Sequence, residues 1–240
     1  MPGAVVPTRG EEWLVAAEDG YYFWTPGTNV LTSIHALDGM RASQRFNDGK
    51  CDPLGRFWAG TMEREGGAPT GALYCLDAAG RSRRIVEGLG CSNGMAWSAD
   101  GRTMYFIDSP TREVRAYDFA LESGEISNPR AVVRIPDGEG VPDGMTIDEE
   151  GMLWVAQWGG YQVSRWDPST GERIGSVRVP AERVTSCAFG GPNLDTLYIT
   201  TASIGASQEQ AIAEPTAGGL FAAKPGMRGF AAVPAALAGK

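Results

Sequence analysis

Three short stretches put an oxygen-bearing side chain directly before a glycine and ahead of an apolar run: "FNDGKCD", "CSNGMAW" and "VPDGMTI". Aligned on Gly49, Gly94 and Gly144, they superpose Asp48, Asn93 and Asp143. Two carboxylates and an amide are hard oxygen donors. With no histidine or thiolate in the set they suit a hard divalent cation, calcium above all, then magnesium or manganese. The flanking glycine allows a backbone turn that a Cβ would crowd. Arg45, close to Asn47, reads either as a surface charge or as half of a hydrogen-bond fork for a hydroxylated ligand. The bland alternative is that Asp-Gly and Asn-Gly are ordinary turn dipeptides. Three copies in register, each followed by an apolar segment, weigh against it.

Other chemistries find little support. A Ser-His-Asp triad needs a histidine, and His35 in "LTSIHALDG" is the single one, outside the repeated motif and read as structural. The chain has no Walker A loop and no GxGxxG ahead of a helix. The four cysteines, Cys51, Cys75, Cys91 and Cys187, are scattered without a CxxC pair, so they read as buried thiols and not as a zinc site.

The elements that must carry the motif repeat along the chain. Glycine-rich turns precede short aromatic strands five times, in "RGEEWLVAAED", "PLGRFWAGTM", "ADGRTMYFIDS", "EEGMLWVAQW" and "PNLDTLYITTA". With Trp13, Trp58, Tyr105, Trp154 and Tyr198 as markers, the spacings are 45, 47, 49 and 44 residues. A period of that size, with strands bounded by Gly, Asp, Asn and Pro, is that of four-stranded propeller blades. "GALYCLD", "EVRAYDF", "QVSRWDP" and "GGLFAAK" supply further strands, and long amphipathic helices are absent. In such a fold the first strand of each blade lines the central channel, which would bring the three motif oxygens to one level.

Composition agrees with one globular all-β domain over residues 1–240, ending in a loosely packed tail at 231–240. The chain has 42% hydrophobic and 21% charged residues. A net charge of −8 argues against nucleic-acid binding. No apolar run approaches the roughly 18 residues of a membrane span, and "MPGAVVPTRG" lacks the features of a secretory signal. A bacterial-type cytoplasm is the expectation.

The stretches "RFNDGKCDPLGRFWAGTM", "SNGMAWSADGRTMYFIDSPTREVRAYDF", "VPDGMTIDEEGMLWVAQWGG" and "TSCAFGGPNLDTLYITTA" resemble the SMP-30/gluconolactonase/regucalcin-like family. The resemblance implies a six-bladed β-propeller, of which about five blades are present here. It also implies one divalent metal, calcium first, with zinc, manganese, magnesium or iron as alternatives, and hydrolysis of sugar lactones. It makes Asn93 and Asp143 metal ligands, Asp143 also the general base, and Arg45, Asn47 and Glu65 contacts to substrate. Asp48 is then a channel-lining candidate. The family's third ligand, a glutamate in a Gly-Glu-(Gly/Ser)-Pro stretch of its first blade, is expected to have no counterpart here, Gly3 standing at that register. Weak metal binding and self-association through unpaired blade edges follow as expectations. The competing class is a non-enzymatic calcium-binding protein or an inactive truncated propeller.

Overall fold

The spacing Asp-x-x-Gly-x-x-Trp occurs at Asp52–Gly55–Trp58 and again at Asp148–Gly151–Trp154, and it shows how this chain builds a strand pair. Gly55 and Gly151 turn the chain at φ 83° and 82°, a region open to glycine. One oxygen of Asp52 accepts the backbone N–H groups of Leu54 at 2.9 Å and Arg56 at 3.1 Å. The other accepts the Trp58 indole N–H at 2.9 Å and the Arg56 Nε at 2.5 Å. Asp148 repeats this with Glu150 and Met152, both at 3.0 Å, Trp154 at 2.8 Å and Arg165 at 2.8 Å. Each buried carboxylate therefore fixes a turn and anchors the aromatic residue of the next strand. Without those partners its burial would cost several kcal/mol.

The computed structural model describes residues 1–37 and 39–237. Its strands form five antiparallel sheets, filled in chain order. The first holds β1 (Ala4–Pro7), β2 (Trp13–Ala16), β3 (Gly20–Trp24) and β4 (Leu31–Ala36). The second holds β5 (Gln44–Cys51), β6 (Phe57–Glu63), β7 (Gly71–Leu76) and β8 (Ser82–Leu89). The third holds β9 (Ser92–Trp97), β10 (Thr103–Asp108), β11 (Glu113–Ala120) and β12 (Glu125–Arg134). The fourth holds β13 (Val141–Ile147), β14 (Leu153–Trp158), β15 (Gln162–Asp167) and β16 (Glu172–Arg178). The fifth has three strands, β17 (Val184–Gly190), β18 (Thr196–Thr201) and β19 (Leu220–Ala223), with a short helix α1 (Gln208–Ala213) ahead of the last.

Every marker residue lies in the second strand of its sheet, which is why their spacing reads the repeat. In the first sheet Trp13 is one residue out of step. Leu14, six residues after Thr8, takes the buried position that Trp58 and Trp154 take six residues after their aspartates. Trp13 is instead 38% exposed and packs edge-on against Trp24.

By packing, the chain divides into two compact units. Unit 1 comprises residues 1–93, 118–127 and the chain from Ala232 onward. Its core joins Val6, Leu14, Tyr21, Phe46, Phe57 and Leu76, with the Tyr21 and Phe46 rings 5.1 Å apart. The end of the described chain belongs to this core and is not loosely packed. Ala235 is fully buried, its N–H donates to Pro7 O at 2.8 Å, and Ala236 N–H donates to Gly55 O at 2.8 Å. The backbone of an apolar segment satisfies its donors here on a strand edge and a turn that would otherwise offer unpaired carbonyls. Unit 2 comprises residues 94–117 and 128–231, and its described residues include two apolar clusters. One gathers Ile107, Val114, Met145, Ile147 and Trp166; the other gathers Trp154, Val184, Phe189 and Leu197.

Candidate functional site

The motif residues lie inside first strands, and none of the three glycines forms a turn. Gly49, Gly94 and Gly144 belong to β5, β9 and β13, and none has a positive φ. Close packing is what demands glycine there. A Cβ on Gly94 would stand 2.6 Å from Met145 Cβ and 2.7 Å from Asp143 O, and one on Gly144 would stand 2.2 Å from Ser186 Oγ. These contacts, all within unit 2, set the residue after Asn93 directly against the Asp143 backbone.

The ladders also correct the alignment of the three motifs. Lys50 pairs with Trp58 and Thr146 with Trp154, so Gly49 matches Met145, not Gly144. Both first strands then carry an irregularity at one place, between Phe46 and Asp48 in β5 and between Pro142 and Met145 in β13. A third falls between Val184 and Ser186 in β17. Counting back five residues from the turn residues Asp52, Ser98 and Asp148 gives Asn47, Asn93 and Asp143. Asn47, not Asp48, is thus the counterpart of Asn93 and Asp143. Alignment on glycine failed because the glycine is one residue further along in β5. Bulges of this kind bend a strand and re-aim one side chain, and they recur beside functional sites. The same count from Thr8 reaches Gly3, whose Cβ would lie 2.3 Å from Phe46 O.

In unit 1 the structure brings Asn47, Cys91 and Asn93 together. Asn47 Nδ2 donates to Ser92 O at 2.9 Å and to Cys91 Sγ at 3.5 Å. Asn93, 7% exposed, donates its own Nδ2 to the same sulfur at 3.6 Å. Both amides therefore turn their carbonyl oxygens, the hard donor ends, away from the thiol. Arg45 is half-buried and folds back to donate to Phe46 O at 2.9 Å. Glu65 is exposed in the turn after β6. Asp48 is half-buried with one oxygen accepting the Gly49 N–H at 2.7 Å. The dense protein around it raises its carboxyl above the ordinary range, against the opposing pull of Lys50 and that N–H.

Asp143 lies half-buried in unit 2. Its neighbour Pro142 accepts the Ser109 hydroxyl at 2.6 Å through its carbonyl and pairs with Gln157 across the sheet. His35 sits in β4 opposite Tyr21. Among the described residues no group of three or more His, Cys, Asp or Glu side chains is placed to hold a metal ion. A cation here would have to draw on amide oxygens. Asn93 and Asp143 are of the right chemistry for that, an amide carbonyl and a carboxylate, both hard oxygen donors.

Sequence reasoning missed the sulfur beside the amides. All four cysteines are reduced, but Cys91 is only partly buried whereas the other three are fully buried. Its place immediately before "SNG" was the available signal. No helix of the described residues is long and apolar enough to cross a membrane.

Five antiparallel sheets of this strand order, with a bulged first strand in each of three, define an all-β protein of the β-propeller class, five blades being present in this chain. The chain belongs to the SMP-30/gluconolactonase/LRE-like family, whose model matches residues 1–203. It is 43% identical over 224 residues to the Bacillus subtilis protein named "Putative sugar lactone lactonase YvrE", covering 93% of this chain and 77% of that protein. It is 41% identical over 223 residues to regucalcin of Danio rerio, covering 92% of this chain and 75% of the relative. The crystal structure of a calcium-binding protein, regucalcin, from Agrobacterium tumefaciens superposes with a TM-score of 0.91 at 28% identity. That match covers 98% of this chain and 79% of the other.

Proposed function

We propose that the protein hydrolyses sugar lactones with the help of one divalent cation, calcium before zinc, manganese, magnesium or iron. The observation that carries this reading is the shared station of Asn47, Asn93 and Asp143, each five residues before a turn residue on a first strand. Membership of a family that includes gluconolactonase and regucalcin supports the substrate class.

In this reading Asn93 and Asp143 are the protein ligands of the cation. When bound, such an ion polarises the ester carbonyl and lowers the pKa of a water molecule. Arg45 and Asn47 hold sugar hydroxyls, and Glu65 reaches the substrate from its turn, so the lactone is oriented before attack. Asp143 accepts a proton from the attacking water as its oxygen bonds to the carbonyl carbon. The ring C–O bond then breaks, the proton passes to the ring oxygen, and a hydroxy acid leaves. Asn47 is suited to orienting because its Nδ2 is already committed to Ser92 O, which fixes the direction of its Oδ1.

The test is lactone opening, followed by acid release on glucono-lactone with and without added calcium. Turnover that depends on the cation and falls about a hundredfold or more in Asp143→Asn is the expected result. Equal turnover by the two proteins would remove Asp143 from the chemistry. Calcium binding without turnover of any sugar lactone would leave a binding protein instead.

A further inference from the structure

The sulfur of Cys91 does not stand alone. Met62 Sδ lies 3.5 Å from Cys91 Sγ, and the backbones of the two residues form an isolated antiparallel bridge, so the pair is held by main chain as well as by packing. Met62 ends the buried stretch of β6 and, like Cys91, is only partly buried. The two amides of Asn47 and Asn93 point their N–H groups at the thiol and fix where it faces. All four residues belong to unit 1.

We propose that Cys91 and Met62 form a two-sulfur site for a soft cation of the copper(I) class, distinct in chemistry from the hard oxygen donors of the proposed lactonase site. Thiolate and thioether are the donors that select such ions over calcium or magnesium. At a metal–sulfur distance of about 2.3 Å, sulfurs 3.5 Å apart subtend an angle of roughly 100° at one ion, which trigonal and tetrahedral coordination accept. Binding forms a metal–sulfur bond at Cys91, releases the thiol proton to solvent, displaces water from the ion and changes no oxidation state. The other thiols do not compete. Cys51, Cys75 and Cys187 are buried, and burial pushes Cys51 and Cys75 up to about 12.

The experiment is an anaerobic titration of the full chain with copper(I) against a chromophoric copper(I) chelator. One equivalent per chain is expected. Cys91→Ala should weaken binding at least a hundredfold and Met62→Leu at least tenfold. A second measurement uses the unmodified protein. One equivalent of copper(I) should protect Cys91 from iodoacetamide, with the labelled residue identified by peptide mapping. The proposal fails if copper(I) gives no protection, if Cys91→Ala keeps its equivalent, or if Met62→Leu binds as tightly as the parent, which would reduce the site to a single thiol.

Discussion

Asn47 Nδ2 donates to Ser92 O at 2.9 Å, tying the first strand of the second sheet to the first strand of the third. The bond joins a bulged position on β5 to the residue just before Asn93. It therefore couples a substrate-contacting candidate to the neighbourhood of a proposed metal ligand through one side chain. Ser92 is fully buried, and Gly60 leaves the space its hydroxyl fills, since a Cβ there would lie 1.8 Å from Ser92 Oγ.

Asn47→Ala removes this tie together with the proposed grip on the sugar. The lost bond should cost about 1 kcal/mol of stability. In lactone kinetics KM should rise roughly tenfold with a smaller change in kcat, because the group orients substrate and moves no proton. A fall in kcat alone, with KM unchanged, would assign Asn47 a different role.

Asp148→Ala should be among the most destabilising substitutions in the chain. It takes one of two carboxylate partners from the buried Arg165 guanidinium, leaving Glu150, and strips the Trp154 indole N–H and the turn of their acceptor, for a loss of about 3–5 kcal/mol. Asp77→Ala, in a partly exposed turn paired with Arg81, should cost about 1 kcal/mol or less. Urea unfolding of the two variants side by side tests the difference, and similar midpoints would contradict it.

Gly94→Ala places a Cβ against Met145 Cβ and the Asp143 carbonyl. Overpacking of this kind costs about 1–3 kcal/mol. Because the displaced backbone is that of Asp143, calcium affinity should fall with stability, read by calorimetry and thermal melting. A variant that melts earlier yet binds calcium unchanged would separate Gly94 from the site.

Asp48 has a raised pKa in the fold, so the folded chain binds its proton more tightly than the unfolded chain does. The ionised form thus works against stability above the folded pKa, and that cost disappears as pH falls below the ordinary carboxylate value. Asp48→Asn should accordingly be at least as stable as the parent at pH 7, with the gap closing on acidification. Denaturant midpoints at several pH values measure this, and a variant less stable at pH 7 than at low pH, relative to the parent, would reverse the sign.

One carboxylate and one amide make a low charge count for a calcium site, and charge count with rigidity sets affinity for hard cations. Calcium should therefore bind this chain weakly, in the range of about 10⁻⁴–10⁻³ M. Asn93→Asp, which adds a charge at the same station, should tighten it. Unchanged affinity on calorimetry would mean that Asn93 is not a ligand.

The sequence by itself determined the architecture. Aromatic residues recurring in second strands at 44 to 49 residues, with glycine turns ahead of them, specify a repeated four-strand unit through local rules of turn and strand chemistry alone. It also placed Asn93 and Asp143 each directly before a glycine at the head of an apolar run, a pattern contained within one strand. Tertiary structure decided the rest. The choice of Asn47 over Asp48 rests on the ladders, which pair Lys50 with Trp58 as they pair Thr146 with Trp154 and so put Gly49 one residue beyond the station of Gly144. The requirement for glycine at positions 94 and 144 comes from neighbouring strands and not from φ. The docking of Ala235 on Pro7 and the meeting of Cys91 with Met62 join residues far apart in sequence. No local pattern records such pairs, because the packing that creates them exists only once the sheets have formed.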